Sequence, residues 1–158
     1  MLMLPGFRGY QAREQRREAD RIVRSYIYDV LEHSRDDLMR CFQVLSDNKI
    51  TELIEPINRT VAKVDRVAEK VNHASYGYSG FFDAIKIEQP ELDNMLAYDT
   101  QLMDSARKFA EAATALRIYL EQSKVEDARN MQQALDTSLG SLELAFDQRK
   151  SIIEAVKV

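Results

Sequence analysis

The stretch that decides the fold reads Ile50-Thr51-Glu52-Leu53-Ile54-Glu55-Pro56-Ile57-Asn58-Arg59-Thr60-Val61-Ala62-Lys63-Val64-Asp65-Arg66-Val67-Ala68-Glu69-Lys70-Val71. Ile50, Ile54, Ile57, Val61, Val64, Ala68 and Val71 recur at alternating spacings of four and three, which puts them on one face of a helix. Ile54, Val61 and Ala68 occupy one core position of a heptad and Ile57, Val64 and Val71 the other. β-Branched residues at both positions favour assemblies of more than two strands. A helix over about 50–74 therefore belongs in a bundle core, with Pro56 as a kink near its start.

The same period extends in both directions. Upstream, Ile27, Leu31, Ser34, Leu38, Cys41 and Leu45 form a stripe widened by Val23, Val30 and Phe42, giving a helix over about 11–45. Its first two turns have almost no apolar face. Ser46-Asp47-Asn48-Lys49 reads as a short turn, because such side chains bond freed backbone groups. Downstream, Leu92, Met95, Leu102, Ala106, Phe109, Ala113, Leu116 and Leu120 mark a third helix over 90–122, with Asp99 as a misfit in the row. Ser123 and Glu126 have the spacing of a capping box and predict a fourth helix over 124–156, where Arg149 is a second charged misfit. Gly140 inside it suggests close approach of a neighbouring helix.

At 1.5 Å per residue each helix would span roughly 40–50 Å. The expectation is all-α: an elongated four-helix bundle made of two antiparallel hairpins, with up-down-up-down order favoured. Residues 1–10 read as a lead segment and 11–158 as a single domain. The hairpins share a period but no visible sequence repeat. Joining them is an aromatic and glycine-rich connector, 75–89, containing Tyr76, Gly77, Tyr78, Ser79, Gly80, Phe81 and Phe82. Its glycines permit tight turns, and its aromatics either plug one end of the bundle or face outward as anchors for another protein.

The chain has 158 residues, 30% of them charged and 45% hydrophobic, the balance of an ordered globular domain. The net charge of -4 gives no general argument for nucleic-acid or membrane binding. It hides an asymmetry: six arginines against Glu14, Glu18 and Asp20 make residues 1–24 +3, so the remainder is -7. One cysteine excludes an internal disulfide framework, and the expected location is the cytoplasm.

No catalytic constellation emerges. Asp65, Glu69 and His73, at spacings of four, are the nearest approach to a metal set, on a face off the apolar stripe. His33 is followed by Ser34-Arg35-Asp36-Asp37, without the glycine that a phosphorylated helical histidine needs for close approach and with two carboxylates that repel phosphate. Cys41 lies on the core stripe, where thiols react poorly. Asp99 and Arg149 fall at nearly the same distance from the hairpin turn and are expected to pair, since either alone would be costly to bury. Arg13, Arg16 and Arg17 alternate with acids, which suits a salt-laced helix surface better than a phosphate tracker.

The functional expectation is a noncatalytic interaction or scaffold protein without cofactors that self-associates, with Tyr76, Tyr78, Phe81, Phe82, Arg13, Arg16 and Arg17 as contact candidates. The alternatives are a binder of nucleic acid or an anionic membrane surface through residues 8–24, and a bundle metalloprotein. No small-molecule substrate is inferred.

Overall fold

A computed structural model describes residues 5–74 and 89–155 of the chain, and the side chains of 17–74, 90 and 93–152. Among the described residues there are four helices and no strand: α1 Pro5–Asp47, α2 Ile54–His73, α3 Gln89–Glu121 and α4 Ala128–Ala155. They pack as an all-α four-helix bundle around one core to which each contributes. Ile27, Leu31, Leu38, Ile57, Val64, Phe109, Leu116 and Leu139 are all fully buried. Each large apolar side chain so buried contributes about 1.5–3 kcal/mol.

The two hairpin turns share one solution. Lys49 and Ser123 adopt left-handed backbone, with φ of 57° and 58°. Each closes a Schellman motif: Ile50 N donates to Leu45 O at 2.8 Å and Lys49 N to Ser46 O at 3.1 Å, while Lys124 N donates to Tyr119 O at 3.3 Å and Ser123 N to Leu120 O at 2.9 Å. Side-chain contacts accompany both: Ile50 packs on the core cluster that includes Leu45, and the Lys124 ammonium lies 5.7 Å from the Tyr119 ring centroid.

Several sequence expectations are corrected here. Residues 5–10 are not a lead segment but the first turns of α1; proline is at home at a first helical position, where its missing N–H would have no partner anyway. The second helix starts at Ile54 and not at 50, because the chain is still leaving the Schellman turn. Pro56 therefore falls in the first turn, where it breaks no internal hydrogen bond and gives no reason for a kink. Ser123 cannot cap α4, because it is part of the stop of α3 and the helix begins only at Ala128. A Cβ on Gly140 would meet the tip of Lys63, at 3.4 Å, and no neighbouring backbone.

Directions alternate along the chain, yet the neighbours are not those of a simple up-and-down ring. α1 packs on α2 and α3, α4 packs on α3 and α2, and the pairs α1/α4 and α2/α3 are diagonal. Asp37 meets Thr114 and Arg117 towards one end, while Asp20 and Asp99 share Arg149 towards the other, so α1 and α3 run parallel. Two hairpins are thus stacked side by side in the same sense. Burial repeats accordingly at a constant offset of 75 residues (102 − 27): Ile27 and Leu102, Leu45 and Leu120, Ile57 and Gln132, Val64 and Leu139, Val71 and Phe146 are equivalent buried positions.

The stack is tight between α1 and α3 and looser between α2 and α4. Long charged side chains bridge the looser seam. Lys63 reaches Asp136, Arg66 grips Glu143 with bonds of 2.6 and 3.0 Å, and Lys70 reaches Glu143 and Asp147 at 2.9 Å each. Basic residues on one helix against acidic residues on its parallel neighbour fix the register of the two hairpins.

Candidate functional site

The concentration of buried charge lies where α2 stops. The Arg24 guanidinium extends to the Asn72 carbonyl at 3.4 Å, next to the last helical residue of α2, where orphan carbonyls and the negative end of the helix dipole favour a cation. One layer further towards the amino end of α1, the described residues that fill the interior come from α1, α3 and α4. Asp20, Asp99 and Arg149 fill it, at 5%, 8% and 3% exposure. Arg149 Nε and Nη2 donate to the two oxygens of Asp99 at 2.6 and 3.0 Å, and Nη1 donates to Asp20 Oδ1 at 2.5 Å. The other oxygen of Asp20 accepts from Arg24 Nε at 2.8 Å. Two carboxylates and two guanidinium groups are linked in a chain that ties three helices together and caps the fourth.

Burial opposes the charge of Arg149, but the hydrogen bonds and charges of Asp99 and Asp20 outweigh it and hold the guanidinium proton more tightly than usual. A group of that kind exchanges no protons near neutrality, so the network orients helices rather than shuttling protons. Beside it, Tyr98 donates to the Ala145 carbonyl at 2.6 Å, and burial, followed by the Asp99 charge, raises its phenol above the ordinary range.

Asp99 and Arg149 were legible in the sequence as a pair; Asp20 and Arg24 were not. Both lie among the alternating arginines and acids of residues 1–24, although Asp20 continues the core stripe one step before Val23 and Ile27. That spacing was the available signal. The weak metal candidates do not converge: Arg35 takes Asp65 at 2.6 Å on the outer face of the first hairpin, while His73 and Glu69 pair with each other at 2.8 Å in solvent. Among the described residues no three metal-binding side chains come together. Cys41 is fully buried; burial, followed by the nearby Asp37 charge, pushes its thiol up to about 12. Arg17 is exposed on α1; the side chains of Arg13 and Arg16, and the aromatics Tyr76, Tyr78, Phe81 and Phe82, lie outside the described residues. No described helix is long and apolar enough to cross a membrane.

No protein-family model, curated protein or solved structure matches this chain.

Proposed function

We propose that this chain is a noncatalytic helical interaction protein of the cytoplasm that self-associates, with the amino-terminal length of α1 as its contact. The observation that carries this reading is the mismatch of α1 and α2 within one hairpin. Arg24 is level with the end of α2, and α1 continues back from it past Asp20, which is still buried against α3 and α4, to Pro5, a further 15 residues beyond Asp20 (20 − 5) or about 22 Å of helix. A helical stretch of that length with little apolar face is marginal in water unless something packs against it. Residues 1–24 carry +3 against -7 for the rest, so the acidic body of a second copy offers a complementary surface.

The test is sedimentation equilibrium of the full chain at micromolar concentration, beside a variant carrying Arg13→Glu, Arg16→Glu and Arg17→Glu. An oligomer that dissociates on charge reversal and weakens with added salt agrees with the proposal. A wild-type chain that stays monomeric across the concentration series overturns it.

A further inference from the structure

The looser seam between α2 and α4 opens into a groove of about 520 Å³, within the size range of small-molecule sites. Pro56 and Arg59 line it from α2; Arg129, Gln132, Gln133 and Asp136 line it from α4. We infer that this groove binds a small oxyanion that also carries hydroxyl groups, a phosphorylated polyol being the simplest such ligand.

Two independent features point to that chemistry. The first is charge. Arg59 and Arg129 face the groove, and neither has an ion pair or hydrogen bond among the described residues, in a chain where most other interhelical cations are paired. Asp136, the carboxylate in the lining, already has Lys63 Nζ on its backbone oxygen at 2.9 Å and on Oδ2 at 3.3 Å. The groove thus keeps a surplus of positive charge. Arg129 stands in the first turn of α4, which contains no acidic residue, so the helix dipole disfavours the arginine and would favour an anion beside it. Glu52 and Glu126 adjoin Arg129 in a neighbouring depression without bonding it.

The second feature is the amide of Gln132. At 7% exposure it is more than nine-tenths buried, and its Nε2 donates to Thr60 Oγ1 at 2.9 Å and to the Pro56 carbonyl at 3.3 Å. Those bonds fix the amide and leave Oε1 as an acceptor with no hydrogen bond among the described residues. A buried acceptor in a groove wall asks for a donor, which the hydroxyls of a polyol supply and the dianionic group of a phosphomonoester does not. Paired guanidinium groups for the oxyanion and a fixed carbonyl for a hydroxyl together select the ligand class.

The experiment is amide-resolved NMR titration of the full chain, at constant ionic strength, with glycerol 3-phosphate, glucose 6-phosphate, inorganic phosphate and glycerol. Saturable shifts confined to residues 56–63 and 129–137 are expected with at least one of the two phosphorylated polyols, at lower concentration than with phosphate or glycerol. Arg59→Gln and Arg129→Gln should each weaken binding by about tenfold or more, the usual effect of losing a charge-assisted bond, with unchanged thermal melting. Arg107→Gln, on the outside of α3 and paired with Asp104 and Glu111, should leave binding unaltered. The inference is overturned by the absence of saturable shifts with both phosphorylated polyols, by phosphate binding as tightly as either, or by Arg107→Gln weakening binding as much as the groove variants.

Discussion

Replacing Arg149 by methionine keeps most of the aliphatic stem and removes the guanidinium at the centre of the buried network. Among its bonds, two to Asp99 and one to Asp20 disappear. Asp20 retains Arg24 at 2.8 Å, whereas Asp99, 8% exposed, loses its hydrogen-bonded cation. The cost is therefore that of one stranded interior carboxylate, roughly 3–5 kcal/mol. In a chain of 158 residues that corresponds to a fall in melting temperature on the order of 10 °C. Urea unfolding followed by helical circular dichroism, extrapolated linearly to water, measures it. Because the pair is buried, the loss should be nearly the same at low and high salt. Adding Asp99→Asn to Arg149→Met removes the stranded charge and should return at least about 1 kcal/mol, a sign that only direct coupling gives. A loss below about 1 kcal/mol for Arg149→Met, or further destabilisation by the second substitution, would refute the reasoning.

Two other outcomes follow from single positions. Gly140→Ala places a methyl in mid-helix against only the flexible tip of Lys63, so it should stabilise by about 0.5–1 kcal/mol through helix propensity, and a lower melting temperature would contradict that. For Cys41 the folded thiol is raised to about 12, against about 8.5 for the unfolded chain. Between those values the unfolded state has released its proton and the native state has not, so stability falls as pH rises, by roughly 1.4 kcal/mol per unit. Urea titrations from pH 9 to 11 should show this slope in the wild type and its reduction by one proton in Cys41→Ala; equal slopes in both would defeat the argument.

The apolar stripes in the sequence were sufficient to find the four helices, because a period near 3.6 maintained over six or more residues has one structural solution. Helix ends were less legible. Ser123 carries the residue type of an N-cap and Lys49 that of an ordinary surface position, yet both take left-handed backbone to end a helix, a choice governed by bonds back to Tyr119, Leu120, Leu45 and Ser46. Asp99 and Arg149 stood out because charges interrupt their rows. Asp20 was masked by the acids and arginines around it, since nothing local distinguishes a salt-laced surface turn from one that delivers a carboxylate inward.

What the sequence determined by itself is the all-α character, most of each buried face and the pairing of a charged misfit on α3 with one on α4, all of which depend on spacing within or across a single hairpin. The tertiary structure alone decided that the two hairpins stack in the same direction, that α1 lies beside α3 and that α2 ends one layer before a buried charge network. Stacking depends on fit between surfaces far apart in the chain. The repeat that records it is kept in burial and lost in residue identity: Phe109 stands where the first hairpin has Ser34, and Ala113 where it has Leu38. A close-packed interior constrains the volume shared by several side chains rather than the size of each, so equivalent positions were free to exchange large for small.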